Sequence, residues 1–286
     1  MRVLVAIPTR DRPRELRRCV DSVLALVPPP DTIVSVLVVD NGSAVPAVSL
    51  VPAGVTVVVE PAPGFATVRN RILDYAEAEN VDLLAFIDDD ETCDPQWLTE
   101  LVGAHRRTGA DAVTGPVRPE FDGLDVSPAL ASYFEMPEFA DLSERPEAYT
   151  GNIAFARSCF AGEQALRFDP TYDQTGGEDT DFTRRLTSTG RRIVFAASAI
   201  VHDHIPPERL RWRWVLSRHV SYGERKARIA LSVGDVDRFR LVYHGVASVG
   251  FCALLMTGQL ARRRSPLTML RPGLFGVGCI RQAVAR

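Results

Sequence analysis

At 286 residues, 46% of them hydrophobic, the chain can bury a sizeable core as one large α/β domain or as a domain with an appendage, which excludes disorder over most of its length. Five cysteines without C-x-x-C spacing or a paired framework exclude a zinc knuckle and a disulfide scaffold. The net charge of −3 hides a split, because 15 Lys or Arg stand against 4 Asp or Glu from His204 onward, so an acidic body precedes a basic tail suited to an anionic partner.

Met1 leads straight into RVLVAIPTRDRP with no charged-then-apolar leader, so the catalytic part is expected in the cytoplasm. Four short apolar stretches rich in β-branched residues follow in chain order: 3–8, 33–40, 55–60 and 83–88. They predict strands buried on both faces. Between the first two, Leu16, Val20, Val23 and Val27 recur at helical spacing, with Asp11 as N-cap and Pro13 in the first turn. Val68, Ile72, Leu73 and Ala76 do the same between the third and fourth. After the acidic run Asp88, Asp89, Asp90 and Glu91, Asp94-Pro95 opens a helix carrying Trp97, Leu98, Leu101 and Val102. This βαβ alternation predicts a mainly parallel sheet with ligands at the strand C-termini.

Farther along, GADAVTGPV (109–117) reads as one strand and 118–150 as a loop with short helices. TGNIAFA (150–156) returns to the sheet, GGEDTDFTRRL (176–186) enters a helix, RIVFAASAIVHDH (192–204) is extended, and a long basic helix is predicted from Glu208 to about Ser232. The expected organisation is a catalytic domain over 1–205 and a helical C-terminal region over 206–286. Within the latter, the 21 residues 241–261 carry no formal charge and precede Arg262, Arg263 and Arg264. That length approaches a membrane span, but His244, Gln259 and three glycines make it a poor one, and a core or dimer helix is an equal reading. Interfacial attachment to an anionic membrane surface accounts better for the basic neighbours and is the expectation adopted. Trp212 and Trp214 among the arginines of 209–228 could suggest nucleic acid, yet the acidic body argues against such a partner.

The first loop, IPTRDRP, has neither G-x-G-x-x-G nor G-x-x-x-x-G-K-[ST], which excludes the dinucleotide and P-loop classes. Four like charges behind an apolar strand are unfavourable unless water or a cation compensates them, so Asp88 to Glu91 form either a solvated turn or a cation site.

VAIPTRDRP, VVDNGS, PGFATVRNRIL, the Asp-x-Asp cluster and GGEDTDF, taken in this order, resemble a family 2 glycosyltransferase of the GT-A fold over residues 1–205, of the kind used in bacterial exopolysaccharide synthesis. FIDDDETCDPQWL, GGEDTDF and VHDHIP are similar to glucosyltransferases that extend lipid-linked succinoglycan repeats. The resemblance implies that Asp88 contacts the nucleoside, Asp89 supports the site, and Asp90 holds Mn²⁺ or Mg²⁺; Glu91, given no such role, is expected to face water. It implies a histidine ligand after the last strand, His202 being preferred to His204. By the family's Glu-Asp pair, Asp179 is the general base and Glu178 orients the acceptor hydroxyl; a helix cap at Asp179 is compatible with that role. Pro8, Thr9, Asp11, Asp40, Gly64, Arg69 and Asn70 fall at the family's nucleotide-sugar positions, with Val68 replacing the usual Ala.

The expected activity is therefore inverting, metal-dependent transfer from a UDP-sugar such as UDP-glucose to a saccharide acceptor on a polyprenyl diphosphate, at the inner face of the cell membrane. The rivals are a sugar-1-phosphate nucleotidyltransferase, which should carry a glycine-rich basic first loop, and a non-catalytic nucleotide-binding subunit of a glycan assembly.

Overall fold

The computed structural model describes residues 1–232, 234, 236–257 and 266–285. They form two compact units, one of residues 1–120 with 136–204, the other of residues 121–135 with 205–286. Residues 258–264, which hold the end of the uncharged stretch and its three arginines, lie outside the described residues.

The first unit carries β1 (Arg2–Thr9), α1 (Pro13–Leu24), β2 (Ile33–Asp40), β3 (Thr56–Val59), α2 (Phe65–Ala78), β4 (Leu83–Phe86), β5 (Glu91–Cys93), α3 (Trp97–Thr108), β6 (Ala112–Thr114) and β7 (Val117–Glu120). After α4 (Pro128–Phe134), which belongs to the second unit, come β8 (Glu144–Arg145), β9 (Ile153–Ala156), α5 (Glu178–Ser188), β10 (Ile193–Phe195) and β11 (Val201–His204). Among the described residues the strands make a sheet in the order β3-β2-β1-β4-β9-β6-β10-β8 and a smaller one in the order β5-β11-β7. The larger sheet is mainly parallel, with β9 antiparallel to both β4 and β6 and β8 antiparallel to β10.

Alternation along β1 sends Val3, Val5 and Ile7 to a core shared with α1 and α3, and Leu4 and Ala6 to a second core shared with α2 and α5. Burial on both faces is why these strands read as unbroken apolar runs. All five cysteines are buried free thiols.

Two stretches expected to be continuous are broken. Residues 109–117 split into β6 and β7, which lie in different sheets, and 192–204 split likewise into β10 and β11. The breaks meet at buried Asn152, whose amide donates to Pro116 O (3.0 Å) and Ala199 O (2.7 Å) and accepts from Trp97 Nε1 (2.8 Å). Gly115 is at this junction because a Cβ there would collide with the Ala199 carbonyl and the Asn152 amide. Gly115→Ala should cost about 1–3 kcal/mol as an overpacked site, read as a lowered denaturant midpoint.

The helix starts also differ from expectation. Asp11, at φ 54°, does not cap α1; its Oδ1 accepts from Ala44 N (2.7 Å), and Arg12 is the N-cap. Asp94 meets the start of α3 through its carbonyl, which accepts from Trp97 N, and its carboxylate is used elsewhere. Val27 lies beyond α1 and is exposed.

The second unit gathers α4 with α6 (Trp212–Ser232), α7 (Arg238–Thr257) and α8 (Pro266–Val284). α6 and α8 approach closely where Gly223 faces the Phe275 carbonyl and Gly278 faces the Val220 carbonyl, each at a distance no side chain would permit. No helix among the described residues is long and apolar enough to cross a membrane. Instead α7 presents an exposed apolar stripe in which Phe239, Tyr243, Val246 and Leu254 are 82, 65, 58 and 67% exposed.

Candidate active site

The acidic run leaves the end of β4, turns, and continues as β5. Two arginines organise it. Arg12, from the first loop, reaches Asp89 Oδ1 (2.8 Å) and Asp90 Oδ2 (2.9 Å), while Thr9 Oγ1 donates to Asp89 Oδ2 (2.7 Å). Arg69, buried on α2, reaches Asp88 Oδ1 (3.2 Å) and Glu178 Oε1 (2.9 Å), and its Nε donates to Thr150 Oγ1 (2.8 Å). The Asp-x-Asp turn and the Glu-Asp pair, ninety residues apart in the chain, thus share one guanidinium.

Electrostatics separates the carboxyl groups. Burial pushes Asp88 up to about 6, with Arg69 pulling down and Asp90, Asp89 and Asp179 pushing further up. Burial pushes Glu178 up to about 7 against the pull of Arg69 and with the push of Asp179. Burial likewise raises Asp89, opposed by Arg12 and Thr9. Arg12 and Arg69 thus stand among six carboxyl groups, Asp88, Asp89, Asp90, Glu91, Glu178 and Asp179, and burial disfavours the charged form of Asp88, Asp89, Glu91 and Glu178.

Glu91 does not face water. It is buried, burial and then Asp88 and Asp203 hold its carboxyl well above the usual range, and its Oε2 accepts from Asp88 N (2.9 Å). A Cβ on Gly151 would strike that carboxyl. Glu91 therefore fixes the turn that presents Asp88.

Asp179 and Glu178 open α5 behind Gly177, whose φ is 104°. Asp179 is half-buried and accepts from Thr180 N (2.6 Å). Glu178 is buried, and its Oε2 has no hydrogen-bond partner. Because folding raises the Glu178 pKa, the native state binds more protons than the unfolded chain between the two values, and this group's effect is to lower stability as pH rises from about 4 to about 7. Glu178→Gln should remove that component, seen as a thermal midpoint that falls less over this interval than in the parent protein.

The other expected nucleotide-sugar residues divide by what they touch. Asp40 takes Ser43 N and Ala47 N (2.8 Å each) on its two oxygens, and these bonds outweigh burial to hold it below the usual range. Gly64 packs against the Asp173 carboxylate, which accepts from Thr67 N and Oγ1 at the start of α2. Asn70 is used on both sides by the Phe168 backbone (2.9 and 2.8 Å). Pro8 lies in β1 opposite Val39. A pocket beyond β1 and β2 is lined by Thr9, Asp11, Arg12, Ser43, Ala44 and Val45, among others.

His202 Nε2 lies 2.9 Å from Asp94 Oδ1, whereas the His204 backbone N–H donates to Asp90 O (3.2 Å) and His204 Nε2 meets Thr92 Oγ1 (2.9 Å). No group of three or more His, Cys, Asp or Glu among the described residues could by itself hold a metal. Half-buried Asp88 and Asp90 nevertheless offer carboxylate oxygens, the donors that Mg²⁺ and Mn²⁺ accept while keeping waters or phosphates in the rest of the shell. Sequence reasoning missed Arg12, Thr150 and the structural task of Glu91; for Arg12 the signal was a basic residue in the loop after β1.

Strand order and the acidic turn at the end of β4 define the class as the GT-A glycosyltransferase fold. A solved mannosyltransferase, PcManGT from Pyrobaculum calidifontis in complex with GDP-Man and Mn²⁺, has this fold at a TM-score of 0.59 and 15% identity, covering 98% of this chain and 72% of its own. S. aureus TarS 1-349 gives 0.56 at 16% identity, covering 83% of this chain and 66% of its own. The model for "Glycosyl transferase family 2" matches residues 4–162, and the chain belongs to that family and is a glycosyltransferase. It is 32% identical over 260 residues to the succinoglycan biosynthesis protein ExoM of Rhizobium meliloti (strain 1021), covering 87% of this chain and 82% of that protein. It is 31% identical to the pre-mycofactocin glycosyltransferase of Mycobacterium tuberculosis (strain CDC 1551 / Oshkosh), covering 82% of this chain but spanning only 48% of that protein.

Proposed function

We propose that the chain is an inverting, metal-dependent glycosyltransferase moving a sugar from a UDP-sugar, UDP-glucose being the first to test, to a saccharide acceptor on a polyprenyl diphosphate in cell-surface glycan synthesis. The observation that carries this reading is the Arg69 bridge, which sets the donor-side Asp88 beside the acceptor-side Glu178. The kinship with a succinoglycan biosynthesis protein supports the product class, and neighbours solved with GDP-Man and Mn²⁺ or with UDP, GalNAc and Mn²⁺ support the donor class and a cation.

In this mechanism Asp179 takes the proton of the attacking hydroxyl while Glu178 positions that hydroxyl through Oε2. A single displacement at the anomeric carbon inverts its configuration. Asp90 with His202, or His204 as the alternative, and Asp88 beside them would hold Mn²⁺ or Mg²⁺, which would supply positive charge to the departing diphosphate. Arg12 bridges Asp89 and Asp90 and holds them aligned, and Thr9 fixes the second Asp89 oxygen. Docking on an anionic membrane through the exposed stripe of α7 and the basic tail would place the helical unit at a lipid-linked acceptor.

Thermal shift against UDP-, GDP- and dTDP-sugars, each with and without Mn²⁺, tests the donor assignment. A UDP-sugar with Mn²⁺ should raise the midpoint, worth about 2.7 kcal/mol at a hundredfold excess over Kd. A larger rise with a GDP-sugar, or an equal rise without the cation, would overturn it.

A further inference from the structure

Within the helical unit, Tyr133 on α4, His219 on α6 and Arg271 on α8 converge. The His219 ring centroid lies 4.8 Å from that of Tyr133, and Arg271 Cζ lies 5.4 Å from the same ring. Nε and Nη2 of Arg271 and Nε2 of His219 are buried without a hydrogen-bond partner. Arg218 and Arg225 add positive charge that acts on Tyr133, and no Asp or Glu pairs with Arg225 or Arg271 among the described residues.

A cation over a ring is favourable, but ring contact alone leaves guanidinium N–H groups unmet, and burying them unmet costs free energy. A carboxylate would ordinarily answer such a charge, and among the described residues none pairs with Arg271 or Arg225, both of which act on Tyr133. Planar guanidinium forks match phosphate oxygens, and several of them suit a group carrying more than one negative charge.

We propose that Arg271, His219 and Tyr133, backed by Arg225 and Arg218, form a binding site for a phosphate or diphosphate group, carried by a lipid or free in solution. Arg271 supplies the fork, His219 Nε2 a neutral donor, and Tyr133 the floor against which both pack. Burial and then the Arg271 charge pull the His219 imidazole down to about 4, which keeps it neutral near pH 7. The site stands whether or not the transfer reaction is as proposed.

His219 reports on occupancy, because an anion beside Arg271 offsets the charge that depresses it. Its imidazole titration, followed by NMR and assigned through His219→Gln, should move to higher pH when the site fills. A shift with inorganic pyrophosphate alone assigns the site to a free phosphate. A shift only with phosphatidylcholine vesicles carrying a polyprenyl phosphate assigns it to a lipid headgroup. No shift in either arm overturns the proposal and leaves water to satisfy the buried nitrogens. Arg271→Gln should weaken the effective probe at least about tenfold. Arg271→Lys, which keeps the charge and loses the fork, should lie between and serves as the test if the Gln variant fails to fold. UDP-sugar hydrolysis by Arg271→Lys should stay at the parent rate, which separates failure of this site from failure of the donor site.

Discussion

Asp179→Asn should lower sugar transfer by roughly 10²–10⁴-fold while leaving the donor dissociation constant within about threefold, because the substitution removes a proton acceptor and little volume. The side chain opens α5 beside Glu178, where Gly177 lets the chain turn into the helix. Asn can still accept from Thr180 N, so the local backbone and the thermal midpoint should hold. Single-turnover transfer and donor calorimetry on the same preparation separate these effects. A parallel loss of donor affinity would place Asp179 in donor binding and leave the base unassigned.

Arg69→Met should be the most damaging change to stability, at about 3–5 kcal/mol. It strands Asp88 and buried Glu178 without their shared counter-ion and leaves Thr150 without its donor. Arg69 lowers the pKa of both carboxyl groups, so its loss lets both rise further and protonate. The stability difference from the parent protein should be largest near neutral pH and shrink as pH falls toward 5. Urea midpoints at several pH values check this; a difference independent of pH would mean that lost packing, rather than stranded charge, sets the cost. Lys at this position restores the charge but not the fork to two carboxylates, and should recover only part of either property.

Much of the fold was legible because buried parallel strands write themselves as β-branched runs, as Val3 to Ile7 and Val36 to Val39 do. What could not be read was where an extended run changes sheet. The Gly115-Pro116 pair was a visible break signal, yet its meaning depends on Asn152 and Ala199, which are distant in sequence. β5 was hidden because Glu91, Thr92 and Cys93 form too short a strand to show a period. Candidate site residues could be named where type and position coincide, as in Asp88 to Asp90 and Glu178-Asp179, which Arg69 brings together. Their partners could not be, since the contacts of Arg12 and the pairing of His202 with Asp94 follow from loop geometry and strand register. Gly64 and Asn70 were placed correctly on α2 and its approach, but their contacts are with Asp173 and Phe168, which no local pattern reveals.

Donor hydrolysis tests the central claim most directly, with the released sugar's anomer read by NMR for the parent protein, Asp90→Asn and Asp179→Asn in Mn²⁺. The account predicts slow cleavage of one UDP-sugar with inverted configuration, loss on chelation, and severe loss in both variants. Parent-level cleavage by both variants, or release of a sugar with retained configuration, would contradict it.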